Sequence, residues 1–105
     1  MRCLILAVAG LLSSAAFVVA DDQRVIWVYE AGWYQQKDGK NWIEVNPDNY
    51  PEAKALQYVE VKRTEQYVEL YDDSRKIVVR LFDSTEEHRV GDGKWETGYK
   101  GRWRK

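Results

Sequence analysis

The residues whose types and spacing come nearest to chemistry in this chain are Glu60, Glu69, Arg80 and Tyr67. Three runs of alternating apolar residues carry them: Leu56 to Lys62, Gln66 to Tyr71 and Lys76 to Phe82. With two-residue loops at Thr64-Glu65 and Asp73-Ser74, Glu60 stands opposite Glu69, Arg80 lies diagonal to Glu69, and Tyr67 sits across from Arg80. Directly opposed residues on a sheet face have Cβ atoms about 4.5–5.5 Å apart, and a retaining glycosidase holds its two carboxylates about 5–5.5 Å apart. Like charges that close would also push one pKa up and so separate acid from nucleophile. Against this, Lys62 and Arg80 share the face, and charged cross-strand ladders are ordinary surface features. A chain this small offers no deep cleft, so a two-carboxylate glycan hydrolase is the least favoured reading and no catalytic residue is assigned. The face reads instead as a binding surface of Tyr58, Tyr67, Glu69, Tyr71 and Arg80, open to an envelope or extracellular glycan or protein. The alternative is that this face, or an open sheet edge, joins copies of the chain into an envelope structure.

Other chemistries lack their parts. His88 is the only histidine, and a metal site would want further His or Cys ligands, so it is expected on the surface of a late strand. Asp72-Asp73-Ser74 lacks the spaced oxygens and glycine of a calcium loop and reads as an Asx-type turn. Ser74 and Ser84 have no nucleophile-elbow glycines, and Gly91, Gly93, Gly98 and Gly101 serve turns rather than a phosphate cradle. No metal and no cofactor is expected. Five tryptophans and seven tyrosines are the one compositional excess. At least three of Trp27, Trp33, Trp42, Trp95 and Trp103 are expected in the core, since a fully buried large apolar side chain contributes about 1.5–3 kcal/mol.

The elements that must position these residues are short strands. Val25 to Tyr29 is rich in β-branched and aromatic residues, and Trp33 to Gln36 and Asn41 to Val45 flank Lys37-Asp38-Gly39-Lys40, a strong hairpin signal. Asn46 to Pro51 is a loop, and Pro51 to Ala55 has room for one helical turn. In the middle of the chain the expected pairs are Val61 with Val68, Val59 with Leu70, Leu70 with Ile77 and Val68 with Val79. That register puts Val59, Val61, Val68, Leu70, Ile77, Val79 and Leu81 on one buried face. Tyr58, Glu60, Lys62, Tyr67, Glu69, Tyr71, Val78, Arg80 and Phe82 then fall on the other. Gly91-Asp92-Gly93-Lys94 and Gly98-Tyr99-Lys100-Gly101 each read as a further turn. The expectation is an all-β fold: a small antiparallel meander of about eight strands, forming a barrel or a strongly curled sheet.

Met1 to Ala20 gives the address. Arg2 precedes an apolar run, Val18 and Ala20 fit the positions a signal peptidase reads, and Asp21-Asp22 ends the run. The expected organisation is a signal peptide over 1–20, cleaved after Ala20, and a single β domain over 21–105, secreted or periplasmic, with no membrane span after cleavage. Cleavage removes Cys3, the only cysteine, so the domain must fold without disulfides. It also removes Arg2, leaving 15 basic residues against 17 acidic ones, a net charge of -2 that favours no nucleic-acid partner.

Asn41-Trp42-Ile43-Glu44, Tyr67-Val68-Glu69-Leu70-Tyr71-Asp72 with Arg75, Val79-Arg80-Leu81 and the closing Gly101-Arg102-Trp103 together form a recognisable block. It resembles short secreted proteins of planctomycete bacteria with the pattern W-x-E, V-E-L-Y-D-x-x-R, V-R-L and G-x-W, over residues 41 to 103. The resemblance implies a bacterial source and a secreted all-β module, and it assigns no activity and no site.

Overall fold

The computed structural model describes residues 22–104, so the expected signal segment, Met1 to Ala20, lies outside the described residues. Among the described residues eight strands follow one another: β1 (Ile26–Tyr29), β2 (Gly32–Asp38), β3 (Asn41–Val45), β4 (Leu56–Arg63), β5 (Tyr67–Asp72), β6 (Ile77–Phe82), β7 (Thr85–Val90) and β8 (Glu96–Trp103). Each pairs antiparallel with the next, and β1 returns to β8 through Trp27–Trp103, Val28–Arg102 and Tyr29–Gly101. The meander is therefore a closed barrel, which leaves no strand edge unpaired among the described residues. Between β3 and β4 a single 3-10 turn, Glu52–Lys54, follows Pro51.

Local sequence explains the hairpins. Asp38 pairs with Asn41 around Gly39-Lys40, and Gly39 takes a φ of +48°, which glycine adopts without a Cβ clash. Gly91, at φ +56°, opens the β7–β8 hairpin in the same way. Gly98-Tyr99-Lys100-Gly101, in contrast, makes no turn: β8 continues through it, with one extra residue bulged between Thr97 and Lys100. Those glycines are there for close approach. A Cβ on Gly98 would collide with the Glu86 carboxylate, and one on Gly101 with the Trp27 ring and the Val28 carbonyl.

The core partly follows the expected face and partly reverses it. Val68, Leu70, Val79 and Leu81 are buried together, and Ile77 packs against them half-buried at the barrel end. The β5–β6 pairs are Leu70 with Val79 and Val68 with Leu81, because the loop has four residues, Asp73 to Lys76, rather than two. A slip of two residues keeps every side chain on its own face. On β4 the faces are exchanged. Val59 and Val61 are 47% and 52% exposed on the outside, while Tyr58 and Glu60, at 4% and 6%, point into the barrel. The β4–β5 loop has three residues, Thr64 to Gln66, and a bulge at Val61 lies between the Glu60–Leu70 and Lys62–Glu69 pairs.

What decides the β4 face is the interior itself. Trp27, Tyr34 and Trp42 fill it with Leu70, Leu81 and the small valines, and Tyr29 and Tyr58 complete the aromatic cluster. Trp27, Trp42 and the part-buried Trp103 make three of the five tryptophans structural, as expected. Aromatic residues with polar tips need buried partners. Trp27 Nε1 donates to the Phe82 carbonyl at 2.7 Å, and Trp42 Nε1 donates to Glu60 Oε1 at 3.0 Å. Arg63, beyond the bulge, donates to both Glu60 oxygens at 3.0 Å and so pairs the inward carboxylate. An inward Val59 or Val61 would have left the Trp42 N–H without that acceptor.

Candidate functional site

Two clusters of polar chemistry result from this register, one inside the barrel and one outside. Inside, Glu44 on β3 accepts hydrogen bonds from Tyr29 at 2.5 Å, Tyr50 at 3.0 Å and Tyr58 at 2.9 Å. Burial pushes the Tyr58 hydroxyl well above its ordinary pKa, the nearby Glu44 charge adds to this, and Arg75 opposes it. Burial and Glu44 act on Tyr29 and Tyr50 in the same direction. All three phenols therefore remain donors at any ordinary pH, and they surround the carboxylate that a reacting group would have to approach. Arg75 also donates to the Tyr58 hydroxyl at 3.1 Å and pairs with Asp72. Burial opposes ionisation of Asp72, but its bonds from Ser74 and Arg75 outweigh that and leave its pKa lowered. The Asx-type turn expected at Asp72-Asp73-Ser74 is present, with the Ser74 N–H donating to Asp72 Oδ1 at 2.9 Å.

Glu86 on β7 is the second inward carboxylate at this end of the barrel. It accepts the Tyr99 N–H at 3.0 Å and contacts His88 Nδ1 at 2.8 Å. His88 is therefore a half-buried partner of Glu86 rather than the free surface residue expected. Burial raises the Glu86 pKa, Glu44 adds to the rise, and the Tyr99 N–H and His88 oppose it. Tyr99 stacks flat on Tyr29, with ring centroids 4.0 Å apart, and so fastens β8 over this end. Among the described residues no group of three or more His, Cys, Asp or Glu side chains is set to hold a metal ion. No helix among them is long and apolar enough to cross a membrane.

Outside, the expected binding residues separate into those that meet and one that does not. Tyr58 is removed from the face by its inward turn and becomes part of the Glu44 network. The proposed carboxylate pair is not formed either. Glu60 is opposite Leu70 and points inward, while Glu69 is opposite Lys62 and points outward. Tyr67, Glu69, Tyr71 and Arg80 do share the outer face of β5 and β6. Their neighbours differ from expectation by the same two-residue slip: Arg80 stands directly opposite Glu69, and Tyr67 opposite Phe82. Arg80 Nε donates to Glu69 Oε1 at 2.9 Å.

Around that pair the outer face forms an alternating row of cations and rings. Lys62 lies 5.8 Å from the Tyr67 ring centroid, and Arg80 lies 4.7 Å from it. Arg80 is also 4.2 Å from the Trp95 ring, over which Arg89 lies at 5.0 Å. The order Lys62, Tyr67, Arg80, Trp95, Arg89 crosses from β4 to the β7–β8 hairpin, with Phe82 tilted against Tyr67 at 5.1 Å. Lys62 and Arg89 make no ion pair among the described residues. Sequence reasoning missed Trp95 and Arg89. The available signal was the tryptophan itself, placed directly after a turn and followed by the polar residues Glu96 and Thr97.

Beside this row lies a shallow groove of about 360 Å³ on the outer surface of β2 to β5. Its rim carries Lys37, Asn41, Gln57 and Asp73, with Ile43, Val59 and Tyr71 between them. The row and the groove meet at β5, where Tyr71 follows Tyr67 and Glu69 along the outer face. No family model, curated protein or solved structure matches the chain.

Proposed function

We propose that this barrel is a secreted, non-catalytic binding module that docks a protein on the outer face of β5 to β7. The observation that supports the reading is the alternating row of Tyr67, Arg80, Trp95 and Arg89. Trp, Tyr and Arg are the residue types that dominate protein-binding hot spots. Here they are held by one another before any partner arrives, so less side-chain freedom is lost on docking. Folding gives no strong reason for the row, since an exposed cation–ring contact contributes about 0.5–1 kcal/mol. A glycan is the poorer partner for this face. A sugar ring stacks on a free aromatic face, and the Tyr67 and Trp95 rings already carry Lys62, Arg80 and Arg89.

Site-specific photo-cross-linking tests this. A benzophenone side chain placed at Val78, beside Arg80 on the outer face of β6 and opposite Arg89, should give a defined protein adduct in the envelope or extracellular fraction. The same group at Glu52, in the 3-10 turn, should not, and Trp95→Ala should remove the Val78 adduct. Adducts joining two copies of the chain would identify the partner as the protein itself. Adducts of equal yield at both positions, or none at Val78, would overturn the reading.

A further inference from the structure

We infer that the groove beside Tyr71 is a binding site for a neutral saccharide. The inference rests on that groove and not on the cation–ring row, and it stands or falls without the docking reading. On the outer face of β5 and β6, Tyr71 is the aromatic residue whose ring stacks on no other ring and no cation among the described residues, unlike Tyr67 and Phe82. Its hydroxyl donates to Asp73 Oδ1 at 3.2 Å, which fixes the ring's direction at the groove wall. Ile43 and Val59 supply an apolar floor beside it, and Val59 is 47% exposed there with nothing covering it. A pyranose presents the matching pair of surfaces, an apolar C–H face and a ring of hydroxyls.

The rim supplies the hydroxyl partners. Gln57 makes no side-chain hydrogen bond among the described residues, so its amide offers both a donor and an acceptor. Asn41 gives its Nδ2 to Asp38 Oδ1 at 2.9 Å, and its oxygen remains an acceptor. Lys37 is the extra residue at the β2 bulge, between Gln36 and Asp38, and lines the groove as a donor with no ion pair among the described residues. Bulges re-aim side chains in this way beside functional sites. The groove's one ammonium is Lys37, and its two carboxylates, Asp72 and Asp73, already pair with Arg75 and Lys76, so it carries no excess of cations that would favour an anionic polymer. Its volume of about 360 Å³ lies in the lower part of the range for small-molecule sites, about 300–1,000 Å³. An extended peptide fits less well. Peptides add to sheets through free backbone edges, and the closed barrel has none.

Titration of the isotope-labelled domain with neutral cello-, manno-, xylo- and chito-oligosaccharides, and with oligogalacturonate, tests the inference by amide chemical shifts. At least one neutral oligomer should give saturable shifts centred on Asn41 to Ile43, Gln57 to Val59 and Tyr71 to Asp73. Tyr71→Ala should weaken that binding at least about tenfold, Gln57→Ala should weaken it less, and Tyr71→Phe should retain it. No saturable shift with any neutral oligomer overturns the inference. So does binding that survives Tyr71→Ala, or binding confined to oligogalacturonate. The Val78 cross-link does not depend on these outcomes, so the two readings fail separately.

Discussion

The Arg80 guanidinium lies 4.2 Å from the Trp95 ring centroid while donating to Glu69 at 2.9 Å, so one side chain joins three strands' worth of outer surface. With Tyr67 at 4.7 Å as well, the cation has a ring contact on β5 and another from the β7–β8 hairpin. Both contacts and the ion pair are partly solvated. Arg80→Ala should therefore cost only about 1–2 kcal/mol in denaturant unfolding. A loss above about 4 kcal/mol would place Arg80 among the buried structural residues, and the docking face would have to be abandoned.

The exchanged faces of β4 give a paired prediction. Leu70→Ala should cost about 2–5 kcal/mol, the range for a buried leucine. Val59→Ala should stay within about 0.5 kcal/mol of wild type, because Val59 packs against nothing in the interior. Equal losses at the two positions in urea unfolding would mean that Val59 faces inward after all.

These results also mark how far the sequence could be read. Strands β5 and β6 have clean alternation, and the four-residue loop between them exceeds the expected two by an even number, so Leu70, Val79 and the Tyr67–Glu69–Arg80 group keep their faces. Strand β4 offers two amphipathic choices, Val59 with Val61 or Tyr58 with Glu60, and hydrophobicity favours the wrong one. The choice depends on Trp42 needing an acceptor for its N–H and on a bulge at Val61, and neither is local to β4. The β5–β6 loop ends with Lys76 at φ +57°, a conformation its residue type does not advertise. Gly98 and Gly101 look like turn glycines until Glu86 and Trp27 are seen to lie against them.

Glu86 gives a pH dependence. Burial raises its pKa, so the folded chain holds that proton more tightly than the unfolded one. The stabilisation this brings is fully present below the unfolded glutamate value of about 4.3 and is lost as pH rises through the folded value. Glu86→Gln keeps an acceptor for the Tyr99 N–H and carries no charge. Its stability relative to wild type should therefore increase between about pH 4 and pH 7. Urea unfolding at the two pH values decides this. A deficit of Glu86→Gln that grows toward pH 7 would show that attraction to His88 outweighs burial.

The docking face is tested most directly by the affinity of the Val78-cross-linked partner for folded Trp95→Ala and wild-type protein, measured by titration calorimetry. Trp95 lies outside the core cluster, so the variant should unfold cooperatively with little change in stability. Truncating a hot-spot tryptophan removes about 2 kcal/mol or more of binding, roughly a 30-fold rise in Kd. The account predicts a loss of that size with the fold intact. An unchanged Kd for a folded Trp95→Ala protein would contradict it.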